Sequence, residues 1–348
     1  MKRIAFILII FFSFNVLASS NIVMDTNSHR ILYQNNAYEK RLIASTTKIM
    51  TFVVAYEYAK DFLNVYVEAG NEILKMYGTS IYLSLHEKML LRDLLYGLML
   101  RSGNDAAIVI AYFVGGSEDG FVKLMNKKAK TLGMHNTIFH NPHGLDENTQ
   151  NYSTAYDMAL LSSYASKIPF YREVTSTKYY QAKTELKAFS WTNRNKMVFT
   201  YPNFTTGKTG YTPSAGRTLV STAKKDDLEL TIVTLDDDNH YETQRALYEN
   251  MFQKYRNYLL LSKKTFSEMY PTMYIKKDLY YPLTLSEREK VETKLVLNDS
   301  DTNEIGEIVI LLNNKEIIKE KVYFQEEKEK TEHQTIWKKL KKFFKKIF

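Results

Sequence analysis

A chain of 348 residues without a single cysteine can be held together only by packing, hydrogen bonds and charge, since no disulfide or Cys-bound zinc can staple it. The constraint is sharper because the N-terminus reads as an export signal, and exported folds are free to use disulfides. Lys2 and Arg3 precede the apolar run Ile4 to Phe12, and Val16-Leu17-Ala18 puts small or modest residues at the two positions a signal peptidase reads. Residues 1–18 are expected to be a cleaved signal peptide. A retained anchor is the alternative, and the run is short for it against the ~20 apolar residues of a spanning helix. The length exceeds one typical domain, so two folded units plus targeting segments are expected, with chain enough for a full core.

The formal charge is +8, but Lys2 and Arg3 supply two of those charges and Lys338, Lys339, Lys341, Lys342, Lys345 and Lys346 supply six. The body between them is neutral. A nucleic-acid partner needs a basic footprint on the folded domain itself, so this distribution argues against nucleic acid and for a membrane. From Thr335, one helical face would carry Ile336, Trp337, Leu340, Phe343, Phe344, Ile347 and Phe348, and the other the six lysines. Residues 335–348 are expected to be an amphipathic helix lying on an anionic membrane surface, each lysine adding about 1 kcal/mol. The alternative is a helix docked on the protein itself or on a partner.

Between these ends, Ile22-Val23-Met24-Asp25 and Arg30-Ile31-Leu32-Tyr33 flank the turn Thr26-Asn27-Ser28 and predict an edge hairpin. Ile49, Phe52, Val53 and Tyr56 fall on one helical face, placing Ser45 at a helix N-terminus, and Leu91, Leu94, Leu95 and Leu98 predict a second helix. Asn141-Pro142-His143-Gly144 is a loop, and Ser153-Thr154-Ala155-Tyr156-Asp157 a helix N-cap with an acid at N3. Thr218 to Thr222 and Leu228 to Leu235, joined by Lys225-Asp226-Asp227, predict a hairpin central to a sheet. Beyond residue 256, Val291 to Leu297, Glu307 to Leu312 and Ile317 to Phe324 predict a small all-β domain. The expected organisation is a catalytic domain over 19–255, a β-rich domain over 256–325, a charged linker over 326–334 and the tail.

A serine hydroxyl becomes a nucleophile only when a base within hydrogen-bond reach takes its proton. Ser45 and Lys48, three apart on a helix, share a face, and a lysine serves as base near neutrality when burial and a second cation lower its pKa. The helix N-terminus also aims N–H groups at a developing oxyanion. Ser-x-x-Lys alone is weak, since Ser221-Thr222-Ala223-Lys224 repeats it inside a predicted strand, where side chains three apart face opposite ways. The ordered set decides: Ser45-x-x-Lys48, Ser102-Gly103-Asn104, then Lys208-Thr209-Gly210 before the hairpin. Ser102 and Asn104 suit proton relay and a substrate amide. Lys208 and Thr209 suit a substrate carboxylate, Gly210 lets a backbone approach, and Lys208 is a candidate for the second cation.

This trio, with Asp in the middle motif, is the pattern recorded for penicillin-binding proteins and class A β-lactamases. The segments Ala44-Ser45-Thr46-Thr47-Lys48-Ile49-Met50, Arg101-Ser102-Gly103-Asn104-Asp105-Ala106-Ala107, Asn141-Pro142-His143-Gly144-Leu145-Asp146 and Thr206-Gly207-Lys208-Thr209-Gly210-Tyr211-Thr212 carry the likeness further. The chain resembles the low-molecular-mass penicillin-binding D-alanyl-D-alanine carboxypeptidases, over residues 22–255. The resemblance implies an α/β (α+β) β-lactamase/transpeptidase-like catalytic domain, followed by the small β domain and the amphipathic helix. It implies acylation of Ser45 by a peptidoglycan stem pentapeptide with release of the terminal D-alanine, and hydrolysis of the acyl-enzyme by water. Lys48 would be the base, and the N–H groups of Ser45 and Tyr211 the oxyanion hole. Substrate would lie along Lys208, Thr209, Gly210 and Tyr211, β-lactams would trap Ser45, and no cofactor or metal is implied. The setting would be the outer face of the cytoplasmic membrane.

Three departures from the family stand out. Tyr211 occupies a position where some relatives have His. Asn151 and Tyr156 replace a His and an Arg, which is expected to loosen the loop near Ser153. Near His240 many relatives carry an Arg that helps bind the substrate carboxylate, so the strength of that contact is open. His135, His140 and His143 crowd together as a structural loop or, less favoured without a carboxylate partner, a metal site. Trp191 and Asn193-Arg194-Asn195 either line the cleft or pack. Three rival functions share the motifs: a β-lactamase, a D,D-endopeptidase, and a wall-binding scaffold with a vestigial site. Gly103 and the lack of Glu-x-x-Leu-Asn between Ser102 and Lys208 weigh against the first, and the intact trio against the last.

Overall fold

A computed structural model describes residues 19–298 and 303–324, so the expected signal peptide, charged linker and amphipathic tail lie outside the described residues. The chain divides between Gln253 and Lys254, two residues before the boundary placed from sequence.

The first unit is built on a five-stranded antiparallel sheet. Its strands are β1 (Ser20–Asp25), β2 (Ile31–Asn35), β3 (Phe204–Thr212), β4 (Gly216–Lys225) and β5 (Leu228–Leu235), in the order β2-β1-β5-β4-β3. The N-terminal hairpin takes one edge through β2, while β1 pairs inward with β5 from Ser20↔Leu235 to Asp25↔Leu230. All eight residues of β5 are buried, as a strand covered on both faces must be. The two faces can be told apart by their contacts. Thr231 meets Ser163 of the helix Ala155–Ala165, whereas Ser221, Ile232 and Thr234 meet Gln244 of the helix His240–Lys254. The decoy Ser221 is thus a buried strand residue hydrogen-bonded to Gln244 and Tyr248, with Lys224 three residues further along the same strand on the opposite face.

Strand β3 is the other edge, and against it stands a mainly helical body that also holds two short β pairs, Tyr66–Glu68 with Lys88–Leu90 and Tyr179–Lys183 with Ala188–Thr192. The turn Ala44–Thr47 is a 3₁₀ helix that runs into α1 (Lys48–Ala59), and α2 (Asn104–Gly115) packs beside it. The predicted leucine helix is shorter than its periodicity suggested: it spans Leu91–Tyr96 and widens into a π turn over Gly97–Arg101. Ile49, Phe52 and Val53 of α1 join Leu94, Leu95 and Leu98 in one buried cluster with Tyr171 and Phe170. Thr154 caps the helix Ala155–Ala165 by accepting from Asp157 N, as the sequence indicated.

The second unit, from Lys254, holds a four-stranded antiparallel sheet in the order Met273–Tyr274, Lys315–Phe324, Glu304–Leu312, Val291–Leu297. A two-stranded pair, Arg256–Leu261 with Leu279–Leu283, accompanies it. Phe266, Ile308, Ile310 and Val322 form its small core. It is not all-β. Lys263–Met269 is helical, started by Ser262 accepting from Thr265 N, and Leu285–Arg288 forms one turn under the capping box of Thr284 and Glu287. Both are too short to leave a clear 3.6-residue period, so caps decide them.

One buried acid ties the helical body together. Asp105, at the start of α2, accepts from Ile81 N (3.0 Å), Leu83 N (3.0 Å), Ala106 N (2.9 Å) and Ser80 Oγ (2.5 Å). Asp105→Ala is expected to destabilise the first unit by about 2–4 kcal/mol, because it orphans buried donors. A thermal melt within error of wild type would refute this.

Candidate active site

The site forms where three remote segments meet, and each is brought there by a local backbone feature. Ser45 lies in the tight turn before α1, with Ala44 in the left-handed region at φ 44°. Thr46 Oγ1 closes that turn onto the Ile43 carbonyl at 2.5 Å. Ser102 ends the π turn in a left-handed conformation, φ 63° and ψ 33°, and Asn104 opens α2. Strained non-glycine residues and π turns concentrate at functional sites because surrounding packing has to over-determine them. Lys208 to Tyr211 run along edge strand β3.

Glycines set how closely these pieces approach. A Cβ on Gly210 would lie 3.0 Å from Ser45 N and 3.1 Å from Thr46 N, so the strand can lie against the nucleophile turn only without a side chain there. Gly144 has φ +84°, and its Cβ would fall 2.0 Å from the Ala44 carbonyl oxygen. The loop Asn141–Gly144 therefore seals the other side of the turn.

Lys48 is the centre of the arrangement. Its side chain is fully buried, and Nζ lies 3.1 Å from Ser45 Oγ, 2.7 Å from Asn104 Oδ1 and 2.6 Å from the His143 carbonyl. Asn104 Nδ2 donates to the Tyr77 carbonyl at 2.7 Å, which fixes the amide with its oxygen toward Lys48. A neutral amine has two hydrogens and one lone pair. Two partners here are carbonyl oxygens, which only accept, so both hydrogens are used and the lone pair is left for the Ser45 hydroxyl. The neutral state is favoured: burial pulls the Lys48 pKa well below its ordinary 10.5, the charge of Lys208 lowers it further, and Asp105 opposes.

Lys208 is itself buried, donating to the Thr209 carbonyl at 2.7 Å, and burial followed by the charge of Arg194 lowers its pKa to about 7. Ser102 Oγ is buried and makes no hydrogen bond within the protein, so its hydroxyl is free to join a proton relay or a ligand. Tyr211 is exposed, and its backbone N–H faces the open edge of β3. The reason lies one strand over. The Arg217 carbonyl, directly opposite Tyr211, accepts from Asp237 N on the far side of β4, so the pair is of the non-hydrogen-bonded kind and Tyr211 points its N–H outward.

The eight residues singled out in the sequence thus lie on the three segments that converge here. Sequence reasoning missed the contribution of the loop backbone: the His143 carbonyl to Lys48, and the Pro142 carbonyl to Thr51 Oγ1 at 2.6 Å. Carbonyls leave no trace in residue types, and only the glycine pattern hinted at close approach. The His143 ring lies 3.6 Å from Glu118. Among the described residues, no group of three or more His, Asp or Glu is placed to hold a metal ion. Within Trp191 to Asn195 the two readings separate by residue. Trp191 packs on Tyr180 and Phe189, Asn193 donates to the Thr175 and Thr177 carbonyls, the charge of Arg194 reaches Lys208, and Asn195 lies buried against Gly207. Asn151 does not loosen its loop. Its oxygen accepts from His140 N and Asn141 N, and its Nδ2 donates to Thr47 Oγ1 and the Asn141 carbonyl, tying the loop to the nucleophile turn.

Fold and site together define a Ser–Lys centre between a mixed sheet-and-helix domain's edge strand and its helical body, the class of the penicillin-binding proteins. Residues 12–239 match the peptidase S11 family, described as D-alanyl-D-alanine carboxypeptidase, and the chain belongs to that family. It is 37% identical over 221 residues to D-alanyl-D-alanine carboxypeptidase DacF of Bacillus subtilis, covering 62% of this chain and 56% of that protein. It is 36% identical over 234 residues to DacC of Escherichia coli, covering 64% and 57%. The matched region thus spans little more than half the length of these curated relatives. Among solved structures, penicillin-binding protein 6B from Escherichia coli superposes with a TM-score of 0.71 at 26% identity, over 87% of this chain and 93% of that one.

Lys48 protonated cannot accept a proton, so phosphonylation of Ser45 by a fluorophosphonate probe, with loss of fluoride, should rise with pH through the lowered Lys48 pKa. Lys208→Gln removes a like charge, and the acidic limb of that profile should move to higher pH. An unmoved limb would show that Lys208 does not tune the base. Gly210→Val should abolish labelling while leaving the melting temperature within a few degrees of wild type; retained labelling would contradict the close approach of β3.

Proposed function

We propose that the chain is a serine-type D-Ala-D-Ala carboxypeptidase acting on peptidoglycan stem pentapeptides through an acyl-enzyme on Ser45. The observation that carries this reading is the Lys48 amine, buried against Ser45 Oγ with its hydrogens committed to Asn104 and His143. Ser45 Oγ attacks the carbonyl carbon of the penultimate D-alanine while its proton passes to Lys48 Nζ. The oxyanion forms beside the Ser45 and Tyr211 N–H groups, where preorganised donors stabilise charge most. As the intermediate collapses, the proton moves to the leaving nitrogen by way of Ser102 and Lys48, the terminal D-alanine departs, and an ester remains on Ser45. Water, deprotonated by the same amine, then hydrolyses the ester. Asn104 holds a substrate amide, and Lys208 and Thr209 receive the terminal carboxylate. β-Lactams mimic the dipeptide and acylate Ser45 in its place.

The same reading takes residues 1–18 as a removed export signal, 19–255 as the catalytic domain and 256–325 as a β-rich spacer. Residues 335–348, joined through 326–334, then act as a tether to anionic lipid on the outer face of the cytoplasmic membrane. The six lysines and seven apolar residues of that tail support it. Among the described residues no helix is long and apolar enough to cross a membrane.

Incubated with a pentapeptide ending in D-Ala-D-Ala, the signal-less protein should release free D-alanine and Ser45→Ala should not; release that is absent, or equal in both, sinks the proposal. Bound penicillin should come off slowly, and rapid turnover would favour a β-lactamase instead. Deleting residues 335–348 should free the protein from anionic vesicles with D-alanine release intact, whereas continued binding would refute the tether.

A further inference from the structure

A substrate that ends in a carboxylate needs a permanent positive charge at the place where that end lies. Lys208 is a weak candidate by itself, since a pKa of about 7 leaves it only partly charged at neutral pH, and one of its hydrogens is committed to the Thr209 carbonyl. The helix His240–Lys254 offers no better, since its one arginine, Arg245, points to the Thr200 carbonyl at 3.4 Å. His240, at its start, is buried, has Nδ1 3.2 Å from the Asp237 carbonyl, and is pushed toward the neutral form mainly by burial.

The charge stands instead on β4. Arg217 is directly opposite Tyr211 in the register, and Leu219 is opposite Thr209. Alternation along the strands puts Thr209, Tyr211, Arg217 and Leu219 on one face and Lys208 and Gly210 on the other. Arg217 is therefore the diagonal neighbour of Thr209, about 7–8 Å away in such a pair and within reach of a long side chain. Its guanidinium lies over the Tyr211 ring, 5.3 Å from the centroid, at the edge of the sheet that borders Ser45. It is exposed and has no carboxylate partner among the described residues.

We propose that Arg217 is a specificity-determining residue that receives the substrate's terminal carboxylate together with Thr209, doing what an arginine at the position of His240 would do. The inference rests on the carboxypeptidase reading of the site. A guanidinium binds a carboxylate through two parallel N–H donors and stays charged at every working pH, which a lysine of pKa near 7 does not. Stacking on Tyr211 holds the fork in one plane before substrate arrives, so less side-chain freedom is lost on binding. Tyr211 then has two duties: its N–H faces the oxyanion and its ring carries the arginine.

The test compares two pentapeptides, one ending in D-Ala-D-Ala and one in which the last residue is D-alaninamide, by mass-spectrometric detection of the released D-alanine or its amide. Wild type should favour the carboxylate. Arg217→Ala should lose roughly 10- to 100-fold in kcat/KM on the carboxylate peptide, mostly through KM, with little change on the amide. Arg217→Lys should fall between, keeping charge without the fork. Because Arg217 is exposed, melting temperatures should match. Equal losses on both peptides would mark a structural role and overturn the inference, as would an unchanged preference in Arg217→Ala. If wild type cleaves neither peptide, the carboxypeptidase reading itself fails and takes this inference with it, a result distinct from either.

Discussion

The burial of one lysine amine organises the first unit. Moving an ammonium out of water is costly unless negative charge or acceptors compensate, and Lys48 has carbonyl oxygens and a hydroxyl as direct partners, with Lys208 outweighing Asp105 among the nearby charges. The way to satisfy such a group is to keep it neutral, and a neutral lysine is a base. Asn104 and the His143 carbonyl therefore orient the amine and also use its hydrogens, leaving its lone pair for Ser45. Every segment that reaches Lys48 must arrive with a carbonyl or a hydroxyl forward, which fixes how α2 and the Asn141–Gly144 loop dock on α1.

The arrangement depends on backbone that most residues would not accept. Ala44 and Ser102 both sit in the left-handed region, and Gly144 and Gly210 leave room that a Cβ would fill with a clash. The left-handed Ala44 and Ser102 each cost on the order of 1–3 kcal/mol, offset by tightly connected polar groups such as Asp105 and Asn151. Asn151 is instructive because its replacement of a histidine looked like a loss of contacts. Its amide makes as many bonds as an amide can, and the nucleophile turn is one of its partners.

Cations line the site in sequence from the interior outward: Lys48, Lys208, Arg194, and on the opposite face of the edge strand Arg217. Burial lowers the pKa of Lys48, Lys208 and Arg194 alike, and a neighbouring cation lowers each further. The same residue types thus differ in their readiness to carry charge because their surroundings differ.

Much was legible from sequence because it depends on local rules. The helix after Ser45, the Thr154 cap, the central hairpin and the strand placement of the Ser221 decoy all follow from periodicity and capping, which act within a few residues. The ordered motifs named the residues that the fold brings together around Lys48, since only certain side chains can attack, accept a proton or hold a carboxylate. What the sequence could not contain was the environment of those groups. The short helices of the second unit, the π turn before Ser102, the carbonyl of His143 on Lys48, and the side of β4 from which Arg217 faces Thr209 are set by how remote segments pack. The sequence determined which residues could react; only the tertiary structure decided that Lys48 is dry and close to Lys208, because desolvation and Coulomb repulsion are properties of surroundings and not of residue order.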